Sequence, residues 1–284
     1  MAGRHPGAGR GPISRRSTLF VGALALEALP AALASGADIV CIDLEDAVPP
    51  GRKDEARRAM LDVLEAVDVP ESVQLIARVN VMTSDEGRAD VDAAVHAPAL
   101  GAVMIPKVEE PDEVRWAADA AQKAASLLEL YCIIESAPGL EVCPAIARAT
   151  PRLKALFFGG FDLSTALGCA MAWEPLLYAR SRVVHAAALA GIEAIDSPFP
   201  DVGDLDALRA DCARIKALGM TGKAAKHASQ VATIREAFTP TAAEVDRARR
   251  IVAQFRADPT RPLVFEGKLV ELPTIKKLER IADL

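Results

Sequence analysis

A chain of 284 residues with 51% apolar but only 4% aromatic side chains must build its core from Ala, Val, Leu and Ile, residues suited to helices packed around a parallel sheet. Its 33 Lys and Arg against 39 Asp and Glu give a net charge of −6, which leaves no basic field to draw in nucleic acid, and no apolar stretch is long and uninterrupted enough to span a bilayer. The five cysteines, Cys41, Cys132, Cys143, Cys169 and Cys212, contain no CxxC pair and mostly lie in apolar runs, which points to reduced thiols in a cytoplasmic protein that works on a small molecule.

Residues 1–13, rich in Gly, Arg and Pro, read as a disordered tail. Next comes Ser14-Arg15-Arg16-Ser17-Thr18-Leu19-Phe20, which has the outline of a twin-arginine export signal. Glu27 and Pro30 interrupt the apolar region such a signal needs, and the same stretch describes a first strand at 18–21 and a helical face of Leu24, Ala28, Ala31 and Leu33. Seven more short β-rich runs follow, at 39–42, 73–79, 102–105, 130–134, 155–158, 192–195 and, less well defined, 221–225. Amphipathic runs at 53–66, 112–128, 175–190 and 205–218 separate several of them. Eight strand and helix units predict an α/β fold, a (β/α)8 barrel over residues 14–230. Beyond it, a C-terminal helical extension over 231–284 opens with a capping box at Thr241 and Glu244, runs as a helix to about 255, and resumes after a loop at 269–284. Such an extension could lie over its own barrel mouth or over that of a neighbour.

The informative polar residues follow strands. Asp43, Glu45 and Asp46 follow the second, Arg78 and Asn80 close the third, and Lys107, Glu135, Asp162 and Asp196 follow the fourth to seventh. In a (β/α)8 barrel these positions share the rim on which active sites are built. An open doubly wound sheet would normally carry a GxGxxG turn for a nucleotide, and none follows the first strand.

Glu135 and Asp162 each follow an apolar strand, and two such carboxylates on one rim call for a cation between them, with Mg2+ the fitting hard ion. Capping of the following helices is the alternative. The glycines before Asp162 would let its backbone approach the site. Arg78, late in an apolar strand, needs an anion, either a substrate carboxylate or developing enolate or an internal partner such as Glu45 or Asp46. Of the acidic trio, Asp43 is the most easily left as a solvated charge. Lys107 reads as an electrostatic partner rather than a Schiff-base amine, and the lone His227 as structural.

In combination these residues resemble the citrate lyase β-subunit-like family of the HpcH/HpaI aldolase group, from Arg16 through most of the chain. The likeness rests on Arg16-Ser-Thr-Leu-Phe-Val21, Ile42-Asp-Leu-Glu-Asp-Ala-Val48, Arg78-Val-Asn80, Ile105-Pro-Lys-Val-Glu109, Ile134-Glu-Ser-Ala-Pro-Gly-Leu140, Gly160-Phe-Asp-Leu163, Tyr178-Ala-Arg-Ser-Arg182, Ala194-Ile-Asp-Ser-Pro198 and Gly267-Lys-Leu-Val-Glu-Leu-Pro273. The resemblance implies a trimeric or hexameric barrel, Mg2+ on Glu135 and Asp162, and substrate contacts from Arg78, Arg16 and Gly160. It also implies cleavage of a β-hydroxyacyl thioester of coenzyme A, of the citryl, malyl or citramalyl type, to a 2-oxo acid and an acyl-thioester. Arg78, Glu45 and Asp46 then serve the chemistry, with Glu271 standing where relatives have an Asp that can reach in from a neighbouring subunit. A thioesterase, a Claisen-type synthase and a non-catalytic acyl-CoA or 2-oxo acid binding subunit are the alternatives. Two stretches depart from the family pattern where the thioester carrier is expected, Val21-Gly22-Ala-Leu-Ala and Lys226-His-Ala-Ser.

Overall fold

In the computed structural model, which describes residues 14–282, eight strands pair in chain order into a closed parallel barrel. They are β1 Ser17–Gly22, β2 Ile39–Asp43, β3 Gln74–Arg78, β4 Ala102–Ile105, β5 Glu129–Ile134, β6 Leu153–Phe158, β7 Glu193–Asp196 and β8 Gly222–Ala225. Pairing of β8 with β1 closes the ring. The expected strands all stand, the weakly marked eighth included, and the would-be export segment contributes β1. The tail expected over 1–13 lies outside the described residues.

The helices are α1 Leu29–Leu33, α2 Lys53–Ala66, α3 Asp85–Ala94, α4 Pro111–Lys123, α5 Ala137–Ala147, α6 Gly160–Leu167, α7 Trp173–Ala190, α8 Leu205–Leu218, α9 Val231–Phe238, α10 Ala242–Ala257 and α11 Leu272–Ala282. Among the described residues no helix is long and apolar enough to cross a membrane. Side chains alternate across each strand. Ile39, Cys41, Ile76, Met104, Ile133, Phe157 and Ile195 fill the barrel interior, while Val40, Ile42, Leu75, Val103, Ile134 and Phe158 face the helices. At the N-terminal end the interior closes on a polar cluster, where Arg15 Nε donates to the Tyr131 hydroxyl at 2.7 Å and Arg15 Nη2 to Glu129 at 2.6 Å.

The compact unit holding the barrel runs through Phe238, eight residues past the expected boundary at 230. α9 packs on β1 and β8, burying Val231, Ile234 and Phe238. The second unit begins at Thr239. Its helix α10 carries the expected capping box, Thr241 accepting from the Glu244 N–H at 3.1 Å. The last helix, expected to resume at 269, begins at Leu272; before it, β9 Leu263–Phe265 and β10 Lys268–Val270 form an antiparallel hairpin, turned by Glu266 and Gly267 at φ of 50° and 76°. Ile251, Leu263 and Ile275 make this unit's small core.

Candidate active site

Strand parity selects which strand-end residues reach the barrel axis. Ile39 and Cys41 point inward, so Asp43 does too, and Ile76 sets the same direction for Arg78. The register places these two residues side by side. Arg78 Nε donates to Asp43 Oδ1 at 2.8 Å and Nη2 to Oδ2 at 2.6 Å, the two-point grip a guanidinium makes on a carboxylate. Its Nη1 lies 3.0 Å from Glu45 Oε2 and 3.5 Å from Asp46 Oδ2. Arg78 is thus held by internal anions, with Asp43 its main partner. The expectation that Asp43 is the solvated member of the trio is corrected, because inward parity buries it; Asp46 is the exposed one, at 58%. Ringed by three carboxylates, Arg78 carries little net charge for a full substrate anion. It lines the cavity and, with five N–H groups, keeps donors for a neutral or partly charged oxygen.

The same alternation turns Glu135 inward beyond Ile133. Its side chain is buried, the residue being 5% exposed, and Oε1 accepts the Lys107 N–H at 2.9 Å. Beside it, Gly159 continues the inward row of Ala155 and Phe157. A Cβ on Gly159 would lie 2.4 Å from Glu135 Cβ and 2.5 Å from Oε2, so the missing side chain makes the space this carboxylate occupies. The expectation centred on Gly160; a Cβ there would meet Met171 Cε at 2.7 Å and Phe158 Cε1 at 2.9 Å, in the core. The glycine that serves the site is Gly159, and parity on β6 was the signal that could have found it. Asp162 sits in the first turn of α6, 47% exposed, and lines the cavity with Glu135. Neither carboxylate caps a helix. Ser136 caps α5, accepting from the Gly139 N–H at 3.2 Å, and Gly159 occupies that position for α6.

Burial, with the negative charges of Glu45 and Asp162, pushes the Glu135 carboxyl up to about 8. A cation beside it would relieve that penalty. Among the described residues no group of three or more His, Cys, Asp or Glu is placed to hold a metal. Two carboxylates with an otherwise open shell fit Mg2+, which commonly keeps several waters and takes one or two protein carboxylates. Burial also raises Glu45, against the lowering charges of Arg78 and Lys107.

Lys107 adopts a left-handed backbone, φ 50°. Its ammonium pairs closely with Glu45 and lies 3.4 Å from Asp46 and 3.8 Å from Asp162. Burial lowers its pKa, but hydrogen bonding and charge from Glu45, with Asp46 and Glu135, outweigh that and hold it above the ordinary lysine value. A protonated amine is not a nucleophile, so the electrostatic role expected for Lys107 is the one its surroundings support.

Asp43, Asp46, Arg78, Glu135 and Asp162 rim a cavity of about 620 Å3 floored by Phe20, Ile133 and Phe157 and bordered on its far side by Gly22 and Lys226. Two sequence expectations lie elsewhere. Arg16, expected at the substrate, precedes β1 at the opposite end of the barrel, where its N–H donates to Asp38 Oδ2 at 3.1 Å. Asp196, expected just after the seventh strand, is the last residue of β7, but its parity is outward, and Arg180 and Lys223 hold it fully buried. Glu271 belongs to the second unit, exposed, its carbonyl accepting the N–H groups of Thr274 and Ile275 as α11 begins. His227 caps the short helical turn Ala228–Gln230 through Nδ1 and the Ser229 N–H, at 3.2 Å, a structural role.

A closed parallel barrel with a carboxylate pair and an ion-paired arginine over an apolar-floored cavity has the layout of an enzyme acting on a small, oxygen-rich molecule. The model of the HpcH/HpaI aldolase/citrate lyase family matches residues 16–228, and the chain belongs to that family. It is 32% identical over 277 residues to the L-malyl-CoA/beta-methylmalyl-CoA lyase of Rhodobacter capsulatus, covering 87% of each chain. To the mitochondrial citramalyl-CoA lyase of Mus musculus it is 30% identical over 267 residues, 87% of this chain and 79% of the relative. Among solved structures, CitE of Mycobacterium tuberculosis in complex with magnesium, acetoacetate and coenzyme A matches with a TM-score of 0.78 and 28% identity, over 95% of this chain and 99% of that one.

Proposed function

We propose that this protein is a Mg2+-dependent carbon-carbon lyase that cleaves a β-hydroxyacyl thioester of coenzyme A to a 2-oxo acid and an acyl-thioester. The observation that carries the reading is Glu135, buried, pushed up to about 8 in part by the charge of Asp162, and lining with Asp162 and Arg78 one cavity. Glu135 and Asp162 would hold the ion, which when bound supplies a Lewis acid for the hydroxyl and carboxylate of the substrate. In the reaction the hydroxyl proton leaves, the carbon-carbon electron pair passes to the carbon next to the thioester, and a proton returns to that carbon. Arg78 donates to the oxygen on which negative charge grows, its N–H groups fixed in direction by Asp43. Of the acidic trio, Asp46 has open access to the cavity and exchanges the proton, while Glu45 holds Lys107 and the Arg78 guanidinium in place.

The homo-oligomer, a trimer or hexamer, belongs to the same proposal, with Glu271 supplied by a neighbouring copy as a second proton-exchanging acid. Exposed apolar side chains in the second unit, Val264, Leu269 and Leu272, support an association of this kind. The five free thiols, four of them buried, support a reducing compartment such as the cytoplasm. Incubation of the protein with Mg2+ and malyl-, citramalyl- or citryl-CoA should release a 2-oxo acid, and chelation of the metal should stop it. If none of the three thioesters yields a 2-oxo acid, the reading falls; free thiol without 2-oxo acid would point to hydrolysis instead.

A further inference from the structure

Lys53 stands where local preference is against it. It is the first residue of α2, and a helix start favours acids, while a cation there meets the positive end of the helix dipole. The acids of that turn are engaged elsewhere, Asp54 with Arg57 at 2.7 Å and Glu55 with Arg52. The Lys53 ammonium turns back along the chain, donating to the Leu44 carbonyl at 2.9 Å and to the Glu45 carbonyl at 2.7 Å. A residue that breaks a local rule calls for a compensating gain, and two bonds from one charged donor to consecutive carbonyls supply it.

Those carbonyls belong to the loop that carries Glu45 and Asp46. In a planar trans peptide the C=O and the following N–H point in opposite directions, so a cation that draws the Leu44 carbonyl toward α2 turns the Glu45 N–H the other way, toward Asp43. That N–H donates to Asp43 Oδ1 at 2.9 Å, the same oxygen that accepts from Arg78 Nε at 2.8 Å. A chain of hydrogen bonds thus runs from Lys53 through one peptide unit and one carboxylate to the guanidinium at the cavity, each bond polarising the next. The Glu45 carbonyl also accepts the Val48 N–H at 3.0 Å, so the second bond of Lys53 secures the far end of the loop. Lys53 is not among the residues that line the cavity; it reaches the site only through this chain.

Resting on the lyase reading, we propose that Lys53 is a positioning residue for the reaction: it anchors the acidic loop from behind and, through the Leu44–Glu45 peptide and Asp43, sets the direction in which Arg78 donates. The test compares Lys53→Met, which keeps the length of the side chain and loses its donors, with Lys53→Arg, which keeps charge and donors. With Mg2+ and whichever of the three thioesters the wild type cleaves fastest, Lys53→Met should lower kcat about tenfold or more while KM and Mg2+ affinity stay within about twofold, because Arg78 acts on charge that grows in the transition state. Lys53→Arg should recover kcat to within about threefold of wild type. In an Asp43→Ala background, where the chain of bonds is already cut, adding Lys53→Met should cost less than about twofold. Independently of turnover, hydrogen exchange over residues 44–48 should be faster in Lys53→Met, with β5 unchanged. Unchanged exchange, unchanged kcat per folded molecule, a loss confined to KM, a loss that multiplies in full on Asp43→Ala, or a Lys53→Met chain that fails to fold would each overturn the proposal while leaving the lyase reading intact. Faster exchange in the variant of a protein that cleaves no thioester would keep the anchoring of the loop and sink the lyase reading. Unchanged exchange without any cleavage would sink both.

Discussion

Two halves of the barrel rim carry the same kinds of residue and use them in opposite ways. From β2 to β6, Asp43, Arg78, Glu135 and Asp162 line the cavity. Across β7 and β8, Asp196 and Lys223 stand in register but face the helices, where Lys223 Nζ is 2.6 Å from Asp196 and 2.7 Å from Asp211, and Arg180 Nε is 3.0 Å from Asp196. The second set is ion-paired and buried; in the first, Arg78 pairs with Asp43, Glu135 is buried on the Lys107 N–H, and Asp162 is 47% exposed. One side can meet a ligand; the other ties two strands to α7 and α8. A charged residue at a barrel strand end is therefore not in itself a sign of function. Parity, one residue either way, decides between chemistry and stability.

The comparison predicts unlike failures. Glu135→Ala should cut kcat/KM by about 10^4-fold, roughly 5 kcal/mol of transition-state stabilisation, and weaken Mg2+ binding, without lowering the Tm of the metal-free protein at neutral pH, where the buried carboxyl is itself unfavourable. Asp196→Ala should do the reverse. Removing one member of a buried charge network leaves its partners uncompensated and costs about 3–5 kcal/mol of stability, read as a shift in the denaturant midpoint, with turnover per folded molecule within a few-fold of wild type. A stable Asp196→Ala protein that has lost turnover would break the distinction between the two halves.

A pH effect sharpens the contrast. The Glu135 carboxyl titrates near 8 when folded, against an ordinary value of 4.5, so between those values the folded state keeps a proton that the unfolded chain has lost. Stability contributed by that proton is intact below 4.5, declines as pH rises, and is gone above 8. The metal-free wild type should thus lose about 2–4 kcal/mol across this window relative to Glu135→Gln. Saturating Mg2+ should flatten the difference between pH 5 and 8.5 by holding the ionised form. If the two proteins keep parallel Tm profiles without metal, the strain assigned to Glu135 is absent.

Much of this was written in the order of residues. The eight strands stood out because apolar β-rich runs recur between Ala-rich amphipathic ones, and Glu135 and Asp162 stood out as carboxylates directly after such runs. α5 escaped notice because Pro138, Gly139 and Pro144 read as breakers, although Pro in a first turn is well tolerated. The charged α3, whose cap is Ser84, lacks a broad apolar face. The β9–β10 hairpin did carry a signal in Glu266-Gly267 between apolar residues, but helical spacing over the last residues outweighed it. What pattern alone could not supply was pairing. That Arg78 would choose Asp43 depends on the register of β2 against β3, a tertiary fact. The outward turn of Asp196, in contrast, follows from Ile195 facing the interior, and alternation could have shown it.

The smallest predicted effect separates two adjacent glycines by the same rule. Ala at position 159 must push Glu135 aside, because the two nearest of three close atoms belong to that side chain, held by the Lys107 N–H, and the third is Ile133 Cγ2 at 2.9 Å. Displacement of a metal-holding group by a fraction of an ångström should cost about 30-fold in kcat/KM, roughly 2 kcal/mol, with Mg2+ affinity falling in parallel. Ala at position 160 meets chiefly the end of Met171, a flexible side chain that can move away, so Gly160→Ala should change kcat/KM by less than about threefold. Steady-state kinetics over a Mg2+ titration read both variants. Equal losses would mean that space around the whole α6 start matters, whereas a loss confined to Gly159→Ala would show that the inward row of β6 shapes the carboxylate site.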